Sequence, residues 1–436
     1  MNAARLRIAL ISEHASPLAA AGGVDAGGQN IYVDRVARTL AAAGHEVDVL
    51  TRRDSRNVPT AVGLCRGARV LHIDAGPPEP VVKEDLMPYM PAFAAAAGTL
   101  IKRDAGYDVL HANFFMSGWV ALALRRRFGI PLVVTFHALG LVRQRHQGGA
   151  DHFPAARIDI ERQLANDSDA VVATCPQDQH DLTTLYGADP ARIHIVPCGV
   201  DTRAFRHGDK AAARQRLRLP AQDFIVLQLG RMVPRKGIDN VVRAMALLDG
   251  QPQARLVVIG GASRTPDEEA TPEIARLRRL AAEIGVQERV LFAGRRDQSE
   301  LRDWYVAADA FVTTPWYEPF GITPLEAMAC GTPVIGTAVG GIRTTVVDEV
   351  TGFLVPPKDP AALAQRLQRL RDNPALGQAM GRAGVHRVRS HFTWQAVAER
   401  LVEVYAGVVD RSTVESELPL ALPASSRPAR AGMALQ

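Results

Sequence analysis

The sequence predicts an α/β protein built as two doubly wound parallel-sheet domains facing each other across a cleft. Strand-like apolar runs alternate with helical patterns through both halves, which demands parallel sheets covered on both faces. A length of 436 residues suits two or three domains rather than one. The glycine-rich and charged loops fall directly after strands, where open α/β sheets bind ligands.

Taken in order, the first half predicts strands at 7–12, 46–51, 70–73, 108–111, 131–136, 170–174 and 193–196. An amphipathic helix at 29–43 lies between the first two and is stopped by Gly44. The second half predicts strands at 224–229, 256–259, 290–293, 310–313, 334–336 and 352–355, with helices such as 272–284 and 299–308 between them. The turn-rich Pro197-Cys198-Gly199 marks the end of a first domain at 1–205, and a second domain follows at 219–388. Each is long enough for its own core. A last helix is expected within 389–409, and the Ser/Pro/Ala/Arg-rich stretch 410–436 reads as a disordered tail.

Composition narrows the function classes. Hydrophobic residues make up 47% and charged residues 22%, which excludes a disordered, collagenous or coiled-coil chain. No apolar run is long enough to span a bilayer, and the N-terminus has no signal-peptide core, so a cytoplasmic location is expected. Peripheral membrane contact stays open, and nothing in the sequence bears on oligomeric state. The formal charge of +5 comes from 51 basic and 46 acidic residues, dispersed and without aromatic interleaving, which argues against a nucleic-acid face. Cys65, Cys175, Cys198 and Cys330 share no C-x-x-C spacing, against a disulfide framework or zinc site.

Three loops carry chemistry. Ala21-Gly22-Gly23-Val24-Asp25-Ala26-Gly27-Gly28-Gln29-Asn30 leads into a helix, whose free amides and dipole suit a phosphate. It lacks G-x-G-x-x-G spacing, so it reads either as a phosphate loop or as a flexible surface turn. Gly230-Arg231-Met232-Val233-Pro234-Arg235-Lys236-Gly237 sets cations beside a second helix start, as a diphosphate site or a solvated basic turn. The third runs Glu318-Pro319-Phe320-Gly321-Ile322-Thr323-Pro324-Leu325-Glu326. Thr323 is expected as its N-cap and Pro324 as the first helical residue. Glu326 then reads either as the reciprocal half of a capping box or as a carboxylate accepting hydrogen bonds from sugar hydroxyls. Capping cannot explain Glu318. Asp167-Ser168-Asp169 precedes a strand, whereas a metal–nucleotide D-x-D should follow one, so no metal site is expected.

Gly27-Gly28-Gln29-Asn30-Ile31-Tyr32-Val33, Arg231 with Lys236, Glu318-x7-Glu326 and Val339-Gly340-Gly341 together resemble the retaining GT-B glycosyltransferases of family 4. Sucrose-phosphate synthases and the mycothiol glycosyltransferase are members, and the likeness runs over about 7–408. It implies two Rossmann-like domains, with the last helix returning to the first. By that resemblance Glu318 holds donor hexose hydroxyls, Glu326 binds the ribose, and Arg231 and Lys236 neutralise the departing diphosphate. Backbone amides of Gly321, Ile322 and Thr323 help hold sugar and phosphate, and Gly28 approaches from the opposite wall. The base lies near Arg296. His137, structural on composition alone, matches a histidine that touches the donor sugar. Transfer with retained configuration is implied from a nucleotide sugar, with UDP-glucose or a related UDP-sugar expected. No cofactor is required, and magnesium is admitted but not essential.

On the acceptor side the sequence departs from the mycothiol enzyme. Phe114 and Ala138 stand where that enzyme binds the acceptor phosphate through a Tyr and a Thr, which argues against inositol phosphate. Lys83 and Arg157 preserve the cationic part, and Asn113 either adds a hydrogen bond or shapes its turn. Arg143, Arg145 and His146 either meet a phosphorylated acceptor or face water. A sugar, sugar phosphate or glycan is the expected acceptor. Two competing functions on the same architecture are a sugar-nucleotide epimerase, which the Glu318/Glu326 and Arg231/Lys236 pattern disfavours, and a catalytically silent sugar-nucleotide sensor.

Overall fold

The computed structural model describes residues 5–19, 27–103, 106–150 and 152–417. Alternating apolar strands and amphipathic helices assemble into two sheets, as their patterning requires. The first holds β1 (Arg7–Ile11), β2 (Glu46–Arg52), β3 (Ala61–Cys65), β4 (Ala68–Ile73), β5 (Val109–Asn113), β6 (Leu132–Thr135), β7 (Ala170–Ala173) and β8 (Ile193–Ile195). Their order is β3-β4-β2-β1-β5-β6-β7-β8, with every neighbouring pair parallel except β3 and β4. The second holds β9 (Phe224–Leu229), β10 (Ala254–Ile259), β11 (Val290–Gly294), β12 (Ala310–Thr313), β13 (Val334–Thr337) and β14 (Gly352–Val355). It is wholly parallel in the order β11-β10-β9-β12-β13-β14.

Both sheets reverse direction once, between β1 and β5 and between β9 and β12. Connections leave on opposite faces at those points, so the loops after these four strands splay apart and open a crevice. Register is set by burial: Ile8 sits opposite Val47 on one side and Val109 on the other, and all three are fully buried. The helix Gly28–Ala42 turns Val33, Val36, Ala37 and Leu40 into this core. Burying each of the larger ones contributes roughly 1.5–3 kcal/mol.

Two features differ from expectation. Strand β3 carries no strong apolar run because it is an edge, paired only with β4 and alternately exposed. The last helix runs from Trp394 through Glu417, so residues 410–417 are helical and not part of a tail. No glycine or proline stands between Asp410 and Pro419, and the residue before a proline resists helical geometry. Residues 418–436 of the expected tail lie outside the described residues.

The chain crosses between the sheets twice, side by side: Val200 N donates to Phe392 O at 2.8 Å. Beyond that crossing the last helix packs on the helix Gly28–Ala42. Its Tyr405 hydroxyl meets buried His111 Nδ1 at 2.6 Å, and His111 Nε2 meets Thr135 Oγ1 at 2.8 Å. No helix among the described residues is long and apolar enough to cross a membrane.

Candidate active site

The carboxyl edges of both sheets open onto one cavity of about 380 Å³. Gly28, Lys83 and His137 line its first-domain wall; Arg231, Lys236, Arg296, Glu318, Gly321, Ile322, Thr323 and Glu326 line the other. Asn113 and Arg157, expected toward the acceptor, do not line it.

The second-domain wall is built from the loops after β9 and β12. A short 3-10 turn, Pro234–Lys236, ends in Gly237 at φ 63°, where a Cβ would collide with the Thr314 carbonyl. That close approach seats Lys236 against Glu318, and the two form an ion pair with both side chains mostly shielded from water. Gly340 presses on the Glu318 backbone so closely that only glycine fits, and Gly341 N donates to Glu318 O at 3.1 Å. Burial alone would lift the Glu318 carboxyl, but Lys236, Arg235 and Arg231 together hold it below its usual value. Burial depresses the Lys236 ammonium, against the pull of Glu318.

Two cations complete the pocket. Arg231 is exposed within the cleft mouth. Arg235 lies 5.2 Å from the Tyr317 ring, and its buried Nη1 has no partner among the described residues. Three cations therefore surround one carboxylate, leaving an excess of positive charge suited to a diphosphate.

The helix Ile322–Ala329 starts earlier than expected. Gly321, at φ 85°, caps it without a side chain, so Thr323 is its second residue and its first amides stay open to the cavity. The capping box does not form. Glu326 instead turns inward and accepts from the Tyr305 hydroxyl at 2.7 Å. Burial pushes its carboxyl up to about 7, tempered by Tyr305, Gln298 and Arg35. Arg296 folds its guanidinium back onto the carbonyls of Arg264 and Arg295, at 2.9 and 2.8 Å.

Behind the first-domain wall, Asn113 is fully buried and does not line the cavity. Its Nδ2 points at the carbonyls of Ile11 and His111, so Oδ1 faces His137 Nε2 at 2.9 Å. That fixes His137 with Nε2 protonated and Nδ1 as an acceptor. Burial pushes this imidazole down to about 3, with His111 and His14 adding to it, so the ring is neutral. Arg157 is 2% exposed, bonded to Glu161 at 2.7 Å and the Ala138 carbonyl at 2.5 Å. The rings of Phe114, Phe115 and Phe153 enclose it at 5.0, 5.0 and 4.6 Å. Its Nη1 is buried and has no hydrogen-bond partner among the described residues, so the guanidinium keeps one donor beyond its bonds to Glu161 and Ala138. Phe114 itself sits at φ 90°, ψ 160°, a region otherwise left to glycine, at a cost of about 1–3 kcal/mol.

Sequence reasoning missed His14, Arg235 and Phe153, which line the cavity, and Tyr305 beneath Glu326. His14 follows β1, so its place after a switch-point strand was the available signal. The walls touch where His146 stacks on Tyr317 at 5.0 Å and Gln147 Nε2 donates to the Tyr317 hydroxyl. Asp169 is taken up by Arg125 and by Leu132 N, at 2.7 and 2.8 Å.

The chain matches two family models, Glycosyltransferase Family 4 over residues 26–204 and Glycosyl transferases group 1 over residues 209–387. It is 40% identical over 410 residues to a D-inositol 3-phosphate glycosyltransferase of Catenulispora acidiphila, spanning 93% of this chain and 96% of that protein. The D-inositol 3-phosphate glycosyltransferase of Acidothermus cellulolyticus is 39% identical over 420 residues, 94% of this chain and 92% of that one. The solved sucrose-phosphate synthase of Thermosynechococcus elongatus superposes with a TM-score of 0.85 at 37% identity, covering 93% of this chain and 100% of its own. Anabaena HepE, solved in complex with UDP and glucose, superposes at 0.72 with 20% identity over 92% of this chain and 100% of its own, a likeness of fold.

Proposed function

The chain belongs to glycosyltransferase family 4, and we propose on that premise that it moves a hexosyl group from UDP-glucose or a related UDP-sugar to a small acceptor with retained anomeric configuration. It is a GT-B glycosyltransferase that uses a nucleotide sugar. The observation that carries the finer reading is the meeting of Arg231, Arg235 and Lys236 with Glu318 beside an uncapped helix start.

Breaking the bond between the anomeric carbon and the diphosphate leaves negative charge on the departing oxygen. Fixed cations and helix amides stabilise that charge without reorganising, and this is the main contribution asked of the pocket. The acceptor oxygen takes the anomeric carbon, and its proton passes to the departing phosphate. Glu318 accepts from hexose hydroxyls and orients the ring. Glu326 accepts from the ribose, and His137 Nδ1 accepts from a sugar hydroxyl. Asn113 acts through His137, by holding its ring.

The acceptor binds toward His14, Lys83 and Phe114. A sugar, sugar phosphate or glycan fits this wall. The names of the relatives favour inositol phosphate as a second reading, and the buried Nη1 of Arg157, without a hydrogen-bond partner among the described residues, leaves one cationic donor behind this wall.

The test is a nucleotide-sugar panel crossed with these acceptors, followed by product detection in excess EDTA. Turnover should persist, because protein cations and amides supply the charge. Loss of turnover restored only by a divalent metal would overturn the metal-free proposal. Binding without consumption of any donor would favour the sensor.

A further inference from the structure

We propose that Glu13 is a positioning residue for the acceptor: it holds the His14 imidazole with Nδ1 protonated, leaving Nε2 to accept a hydrogen bond from an acceptor hydroxyl other than the attacking one. The acceptor half of this statement rests on the glycosyl-transfer reading above; the state of the ring does not.

Glu13 follows β1, at the point where the first sheet reverses. Its side chain is completely buried, a placement that costs a carboxylate several kcal/mol of lost hydration. One oxygen meets His14 Nδ1 at 2.7 Å and the other accepts from the Ser117 hydroxyl. The backbone is pinned as well: Glu13 N donates to Ser117 Oγ at 3.2 Å, and Arg52 N donates to Glu13 O at 3.1 Å. Neither arginine nor lysine pairs with it among the described residues; its side-chain partners are His14 and Ser117. A core position occupied by a carboxylate that braces one cleft-lining ring serves that ring.

His14 lines the cavity, edge-on to Phe114 at 5.0 Å. A carboxylate only accepts, so Nδ1 must carry a proton, and in a neutral ring Nε2 is then bare. A free imidazole in water favours the other tautomer, so the site imposes a choice on the ring. His137 presents the mirror arrangement, with Nε2 protonated by its contact to Asn113. Two histidines on one wall thus each offer a bare nitrogen to sugar hydroxyls, one toward the donor and one toward the acceptor.

Nitrogen-15 NMR of the histidine-labelled full chain reads the ring directly, with His14→Gln assigning the signal. His14 should show protonated Nδ1, and Glu13→Met should convert it to the other tautomer. That variant should raise the acceptor KM about tenfold, the scale of one lost hydrogen bond. Nucleotide affinity and the slow hydrolysis of donor without acceptor should stay unchanged. If Glu13→Met fails to fold, Ser117→Ala removes one brace and should give a smaller rise in the same direction. Protonated Nε2 in the wild type, an unchanged acceptor KM, or an equal loss in donor hydrolysis would overturn the proposal. The ring measurement needs no acceptor, so failure to find transfer counts separately, against the reading beneath it.

Discussion

Glu326 holds its proton to about pH 7, because burial opposes its charge more than the Tyr305 hydrogen bond supports it. Its folded pKa is raised above the unfolded value of 4.5, so the native state binds the extra proton between about 4.5 and about 7. The stability contributed by that proton is full below the window and is lost as pH rises through it. In the proposed site ribose hydroxyls would donate to the ionised form, so nucleotide binding should release a proton. Calorimetry from about pH 6 to about pH 8 should therefore show affinity rising several-fold, and Glu326→Gln should flatten the slope. An unchanged slope in the variant would remove Glu326 from the nucleotide site. At this scale the sequence was most legible where a charged or glycine residue followed a strand, as with Lys236, Glu318 and Gly340. Arg235 was passed over although it adjoins Lys236, because a basic turn has an ordinary solvated explanation. Asn113 and Arg157 stand behind the cavity lining, a placement the sequence does not give because residue type says nothing about which way a buried side chain turns.

The last helix ties the second crossing to the first sheet through a polar contact at its centre. Tyr405 and His111 are both fully buried, so removing the hydroxyl leaves His111 Nδ1 without its partner. Tyr405→Phe should cost about 1–3 kcal/mol, read as a lower Tm, while nucleotide affinity changes little. Truncation after Phe392 should cost far more than truncation after Glu417, since only the first removes Trp394, Leu401 and Tyr405 from the core. Equal melting temperatures for the two truncations would contradict this role. Central parallel strands were readable because both their faces are buried and their apolar runs are continuous. The edge strand β3 and the end of the last helix were not: one has a single neighbour and the other fades into polar residues before Pro419.

Across the whole molecule, function depends on two walls meeting. A Cβ at Gly28 would meet only Ile322 Cδ1, at 3.7 Å, so the fold itself tolerates a side chain there. The donor would not, because that space lies between the helix starts of the two domains. Gly28→Val should leave the Tm nearly unchanged and raise the donor KM by about tenfold or more; a wild-type KM would leave the first wall without a part in donor binding. The central claim, that the Glu318 pocket is where the donor bond is broken, is tested most directly on Glu318→Gln, by measuring transfer rate beside nucleoside diphosphate affinity. The substitution keeps shape and removes the charge that pairs with Lys236 and that is proposed to orient the hexose. Affinity should be nearly intact while transfer falls by about 10² or more, the scale of one lost preorganised contact. Transfer at the wild-type rate would contradict the account.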